Sequence, residues 1–330
     1  MMKLKHLLDN RPLVMTLLQN WAFDADRADV LEQFRISSNA IYPFYSGAKL
    51  CFLRFAPLEE KSIDSVQAEL DFLCYLRGHG LGVAEVVPNL HGEAISVSHT
   101  QWGDYLAVVF RRVAGAKMEG LAYEQDMYYR YGEALGHLHQ LSIGYHPVGC
   151  KRINWEQQLD WVEACLRKFR ASATAFDEAR LLRSALSSLP LTAENYGLVH
   201  YDYELDNVFY AAEEKLISII DFDDAVYHWY AMDVERALHN LQEELDGEVV
   251  AEAQQAFMQG YLTKMALSEQ MLAAFPLFNR YAALYQYARC LRATSEHLEH
   301  EPDWMHGLRT YLDKLMQSHA DRFGTKLANS

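Results

Sequence analysis

The sequence predicts an α+β protein whose first third is rich in strands and whose remainder is mainly helical. Residues 34–55 (FRISSNAIYPFYSGAKLCFLRF) hold two strand-like runs around the turn residues Ser46 and Gly47, the pattern of a hairpin. Beyond about residue 115, apolar residues recur mostly at helical spacing. One stretch breaks that rule. VFY (208–210) and LISII (216–220) flank polar turn residues around Glu213 and Glu214, which predicts a second antiparallel hairpin inside the helical part.

Taken in order, the N-terminal runs KLKHLL and LVMTLL are interrupted by Asp9, Asn10, Arg11 and Pro12. They support a short amphipathic helix and neither a signal peptide nor a membrane span. After the first hairpin, KSIDSVQAELDFLCYLRGHG places Val66, Leu70, Leu73 and Leu76 on one helical face, and Gly78 and Gly80 end the run. YLAVVFRRV (105–113) reads as a further strand. Helices follow over MYYRYGEALGHLHQLSI and NWEQQLDWVEACLRKF, and at least two more between Met271 and Ser318. No internal repeat, low-complexity tract or Pro-rich linker divides the chain.

With 330 residues and half of them apolar, the chain can fill a large core. Its net charge of -15 disfavours nucleic acid, whose phosphates need clustered Lys and Arg, and is compatible with a cationic substrate. The five cysteines (Cys51, Cys74, Cys150, Cys165, Cys290) are scattered and lack C-x-x-C spacing, which fits reduced thiols in a cytoplasm and no zinc site. No pattern speaks to oligomeric state.

The chemistry concentrates in LVHYDYELDNVFY (198–210) and LISIIDFDDA (216–225). His200, Asp202 and Asn207 form H-x-D-x4-N, and Asp221 ends an apolar run. Pairing of the two strands brings Asn207, at the entry of the first, beside Asp221, at the exit of the second, with Asp202 on the loop just before. Two oxygen donors next to a free carboxylate suit Mg2+. A lone loop Asp or Asn is commonly a turn residue, but four such positions in this order around a hairpin point to catalysis. Asp223 reads equally as a further metal ligand or as a solvated turn carboxylate. Asp233 reads as the cap of the helix that follows.

This arrangement resembles the catalytic loop and metal-binding Asp of the protein-kinase-like fold, specifically the aminoglycoside phosphotransferase and choline kinase superfamily. The resemblance spans roughly residues 30–300. It implies two lobes, a nucleotide-binding lobe over 1–113 and a catalytic and acceptor-binding lobe over 114–330, hinged at Val113-Ala114-Gly115. It further implies ATP or GTP as donor, a small hydroxyl-bearing acceptor, Asp202 as catalytic base, and Mg2+ held by Asn207 and Asp221. His200 becomes a packing residue of the loop, and Asp233 its brace. Tyr201 departs from the family, which usually has Gly there.

On the donor side, the family's phosphate-pairing Lys is matched by Arg54, with Lys49 as the other candidate and Glu69 as the natural acidic partner. The backbone from Phe110 to Val113 is expected to bond the base. No Gly-rich loop precedes Gly47, so Ser37, Ser38 and Asn39 are expected to cover the phosphates. On the acceptor side the candidates are Tyr203, Glu204, Tyr227, Trp229, Arg280, Tyr281, Tyr285 and Arg289. Two other classes fit fewer residues: a pseudokinase-like nucleotide-binding or regulatory module, and a phosphatase using Asp221-Phe222-Asp223. The second needs later strands, and everything after Asp233 reads as helix.

Overall fold

The computed structural model describes residues 1–325 and bears out the α+β expectation. Helix α1 (Arg11–Leu18) begins at Asn10, whose side chain accepts the Leu13 N–H, and Pro12 occupies its first turn, where no intrahelical N–H is needed. It packs on a five-stranded sheet made of β1 (Arg35–Ile36), β2 (Ala40–Ser46), β3 (Lys49–Pro57), β4 (Ser96–Thr100) and β5 (Gly103–Arg111). The sheet is antiparallel throughout, in the order β1-β2-β3-β5-β4. The turn at Gly47 (φ +60°) closes β2 onto β3. Helix α2 (Ile63–Gly78), capped by Ser62, lies against the sheet and carries Glu69.

The rest consists of helices around a small β element. The helices are α3 (Gln125–Ile143), α4 (Trp155–Lys168), α5 (Ala173–Ser187), α6 (Tyr230–Glu244), α7 (Gly247–Tyr261), α8 (Glu269–Ala273), α9 (Phe275–Ala293) and α10 (Asp303–Ala320). Helices α3 and α7 touch backbone to backbone. A Cβ on Gly132 would lie 1.9 Å from the Phe257 carbonyl oxygen, and one on Gly260 would lie 1.8 Å from that of Tyr129, so only glycine fits at either place.

Five short strands complete the fold: β6 (Ala116–Lys117), β7 (Tyr196–Val199), β8 (Val208–Ala211), β9 (Leu216–Ile219) and β10 (Val226–Trp229). The predicted hairpin is β8–β9. A second pair, β7 with β10, encloses it, with Val199 opposite Val226. Nesting one antiparallel pair inside the other sets the 200–207 loop facing the 220–225 turn.

The first residues depart from a simple division at residue 113. Met2, Leu4 and Leu7 pack with Cys290, Ala293, Met305 and Leu312 of α9 and α10 as well as with Ala56 of β3. No helix among the described residues is long and apolar enough to cross a membrane.

Candidate active site

The loop after β7 is held by side chains that the nested strands bury. Asp233, in the first turn of α6, is fully buried, and its two oxygens accept the His200 and Tyr201 N–H groups, both at 2.7 Å. His139 Nε2 lies 3.1 Å from the same carboxylate. Asp233 therefore does not cap its own helix, as its position suggested, but ties the loop to α3 and α6. His200 spends both ring nitrogens structurally: Nδ1 accepts the Asp202 N–H at 3.2 Å and Nε2 meets the Ile220 carbonyl at 2.9 Å. Those two bonds require the neutral tautomer protonated on Nε2. Burial, which holds the imidazole pKa down, agrees. Tyr201 takes a left-handed backbone (φ +73°), which explains why glycine is the usual residue here. Its ring meets that of Tyr285 edge-on at 5.4 Å.

Asn207 and Asp221 are brought together as the hairpin predicts. The Ile220 N–H donates to the Asn207 carbonyl at 3.0 Å, which places Asp221 directly after that link. Asn207 Nδ2 donates to Asp202 Oδ2 and to the Asp202 carbonyl, both at 3.0 Å, so its Oδ1 is the atom left for another ligand. Asp221 is itself left-handed (φ +64°), and its Oδ1 is buried with no hydrogen-bond partner, 3.8 Å from Arg54 Nη1. Burial, then Asp223, pushes the Asp221 pKa up to about 6, against Arg54. Burial, then Glu204, Asp224 and Asp221, pushes Asp202 up to about 8, against Arg236. An orphaned carboxylate oxygen and an uncommitted amide oxygen on residues that line the same two cavities are a donor set that fits a hard divalent cation.

Arg54 and Glu69 meet in a buried bidentate pair at 2.7 Å and 2.7 Å. Both line a mostly apolar cavity of about 260 Å³ with Phe110, Val113, Asn207 and Asp221. Ser38 is tied to α9. Its hydroxyl accepts from Arg289 Nη2 at 2.6 Å, and it faces the other cavity, whereas Ser37 borders both.

Asp223 is not a solvated turn carboxylate. It is buried, paired with Lys61, and accepts from Asn39 Nδ2 at 3.1 Å. Against burial, which pushes it up, Lys61 and Arg54 hold its pKa well below the usual carboxylate range. Asp224 pairs with Arg289 at 2.7 Å. The glycine-free loop 37–39 is thus fastened to the turn that follows Asp221. Truncating Asn39 to Ala leaves Asp223 short of one buried bond, and we expect the KM for ATP to rise roughly tenfold with the acceptor KM unchanged. Steady-state kinetics with each substrate varied in turn checks this, and an unchanged ATP KM would mean that the fastening is irrelevant to nucleotide.

The second cavity, about 480 Å³, opens over Asp202. Of the acceptor candidates, Glu204, Tyr285 and Arg289 line it. Five others do not. Tyr203 stacks on Tyr131 at 4.7 Å in the core, and Trp229 is buried beside Trp155 and Tyr196. Tyr281 donates to the Trp155 carbonyl, Tyr227 pairs with Leu198 in the β7–β10 ladder, and Arg280 binds Glu178 on α5. Sequence reasoning missed Arg236, which pairs with Glu204, and Glu243, also on the cavity wall. The signal was present: Asp233, Arg236, Asn240 and Glu243 fall at helical spacing on α6.

Behind this wall, His228 accepts the Trp229 N–H on Nδ1 at 3.0 Å, and its ring centroid lies 5.0 Å from that of Tyr281. Burial holds its pKa at about 3, below the ordinary 6.5. The unfolded chain therefore binds the proton more readily, and this contribution to stability is present above pH 6.5 and lost as pH falls toward 3. The expected loss approaches about 1.4 kcal/mol per pH unit below 6.5. Urea unfolding at pH 7.5 and 5.0 should show a smaller difference for His228→Phe than for the unsubstituted chain, and equal differences would remove His228 from the account.

A sequence model of the phosphotransferase enzyme family matches residues 37–267. The chain belongs to the phosphotransferase enzyme family. It is an ATP-dependent phosphotransferase acting on an alcohol group. Among curated relatives of this phosphotransferase, amicoumacin kinase of Bacillus subtilis (strain 168) is 25% identical over 289 residues, covering 84% of this chain and 83% of the relative. A homoserine kinase of Caulobacter sp. (strain K31) is 29% identical over 221 residues, 65% of this chain and 66% of that one. Among solved structures, amicoumacin kinase hAmiN in complex with AMP-PNP, Ca2+ and Ami shares the fold with a TM-score of 0.76 at 22% identity, over 96% of this chain and 95% of that one. The microcompartment-associated aminopropanol kinase follows at 0.70 and 21%, over 94% and 95%.

Proposed function

We propose that this phosphotransferase moves the γ-phosphate of ATP, or of GTP, to the hydroxyl of a small amine-bearing acceptor, with Asp202 as the base. The observation that carries the reading is the convergence of Asp202, Asn207 and the unpartnered Asp221 Oδ1 at the meeting of the two cavities. Asn207 Nδ2 occupies Asp202 Oδ2, so Oδ1 is the atom that takes the acceptor's proton. The acceptor oxygen then bonds to the γ-phosphorus as the bond to the β,γ-bridging oxygen breaks, and ADP departs with the electron pair. Arg54, held by Glu69 and within 3.8 Å of Asp221, is positioned to bind phosphate oxygens at the end of the nucleotide cavity. Mg2+, when bound by Asn207 Oδ1 and Asp221, supplies positive charge to the phosphates. For the acceptor, carboxylates outnumber arginines on the cavity wall, and Glu243, unlike Glu204 and Asp206, has no Arg or Lys partner among the described residues, which favours an amine. Aminopropanol and homoserine, named for two relatives, each carry an amine and a hydroxyl.

The test is the thermal shift of the full chain with ATP and with GTP, each with and without Mg2+, beside Asp221→Asn. A ligand at a hundredfold excess over its Kd raises stability by about 2.7 kcal/mol. We expect a Mg2+-dependent shift in the unsubstituted chain and its loss in the variant. A shift that ignores Mg2+, or that survives Asp221→Asn, would overturn the metal assignment. Turnover on a panel of amino alcohols then separates a working kinase from a binding module.

A further inference from the structure

A third cavity of about 460 Å³ adjoins the acceptor cavity, and the two share Met1, Ser38, Asp224, Tyr285 and Arg289. Its charge is the opposite of its neighbour's. Lys3, Lys61, Lys168, Arg289 and Arg292 line it, against Glu59, Glu60 and Asp224. These cations come from separate parts of the chain: the N-terminal segment, the β3–α2 loop, the end of α4, and α9. Four of them are well covered, with side chains 17–21% exposed. Four of the five are paired: Arg289 with Asp224 and Arg292 with Glu60, both on the cavity wall, and Lys61 with Asp223 and Lys3 with Glu296, neither of which lines it. Lys168, exposed at the rim, has no carboxylate partner among the described residues, and on the wall itself five cations face three carboxylates. In a chain of net charge -15, five cations gathered on one small space are not a background of basic surface. Cations held in a partly closed space are stabilised by a counter-charge between them.

We propose that this cavity is a subsite for an anionic group, a carboxylate or phosphate, borne by the acceptor. Resting on the amine-alcohol reading above, it makes the acceptor zwitterionic: its hydroxyl at Asp202, its amine toward Glu204 and Glu243, and its anion past Arg289 among Lys61, Lys168 and Arg292. The Arg289–Asp224 pair sits at the junction of the acidic and basic spaces.

The probe is inorganic phosphate, titrated calorimetrically into the full chain with the donor site filled by AMP-PNP and Mg2+. We expect saturable binding that weakens by about tenfold or more in Lys168→Glu and in Lys3→Glu, since each reversal places a negative charge on the cavity wall. No saturable phosphate binding in the unsubstituted chain, or equal affinity in both variants, would overturn the proposal. AMP-PNP affinity in the same samples reports folding and the donor site separately, so failure of the phosphotransfer reading is told apart from failure of the subsite. In transfer assays, phosphate should raise the KM for the acceptor and leave kcat alone. A fall in kcat at constant KM would make the cavity an independent effector site and overturn its assignment to the acceptor.

Discussion

Replacing Asp202 with Asn is expected to lower kcat by about 10²- to 10⁴-fold while nucleotide affinity stays nearly unchanged. The substitution is close to isosteric, and an amide oxygen can still accept from Asn207 Nδ2, so the loop keeps its shape. With Asp202 in the proposed role of base, what disappears is the ability to take the hydroxyl proton as the new bond to phosphorus forms. An interaction made only in the transition state lowers kcat and kcat/KM together. Measuring ADP release with an active acceptor, beside AMP-PNP binding, separates the two quantities. Turnover within a few-fold of the unsubstituted enzyme would remove Asp202 from the role of base.

Asp233→Ala should be the most damaging change outside the reacting groups. It strips two buried backbone N–H groups, those of His200 and Tyr201, of their acceptor and leaves His139 without its carboxylate. Breaking a buried charged network in this way costs about 3–5 kcal/mol. For a chain of this size, that is a fall in Tm on the order of 10 °C. Activity should fall as well, because the left-handed backbone at Tyr201 persists only while its surroundings hold it. Thermal unfolding with a parallel activity measurement decides. A variant that melts within a degree or two of the parent and retains its activity would show that the loop holds itself.

The parts legible in the sequence are those with a local cause. Alternation and the turn at Gly47 predict β2 and β3, the spacing of Val66, Leu70, Leu73 and Leu76 predicts α2, and the polar tip at Glu213 and Glu214 predicts β8–β9. That last hairpin alone brings Asn207 and Asp221 together. The β7–β10 pair was not legible, because Val199 and Val226 meet across 26 intervening residues and each strand has only four. The acceptor wall was only partly legible for a different reason. Arg280 and Arg289 are nine positions apart on α9, which at about 100° per residue puts them on opposite faces. Only one can reach the cavity. Packing against Glu178 of α5 claims Arg280 and leaves Arg289 facing Ser38 and Asp224. Nothing local to α9 announces that choice. Asp223 was ambiguous for the same reason, since Lys61 and Asn39 lie more than 150 residues away.

The nested strands also sort this stretch into places where the chain can be lengthened and places where it cannot. The tip from Ala212 to Lys215 is exposed and lies at the end of β8–β9 remote from Asn207 and Asp221. Extra residues there would extend the tip and leave both strand ends in register, so a tag or a fluorescent reporter inserted at the tip should spare the chemistry. A single residue added between β7 and β8, or between β9 and β10, has no such outlet. It would fall in the loop that carries Asp202 and Asn207 or in the turn that carries Asp221, and would disturb the Asn207–Asp202 bond or the Ile220–Asn207 link that sets their spacing. Natural length variation in this segment is therefore expected to collect at the tip.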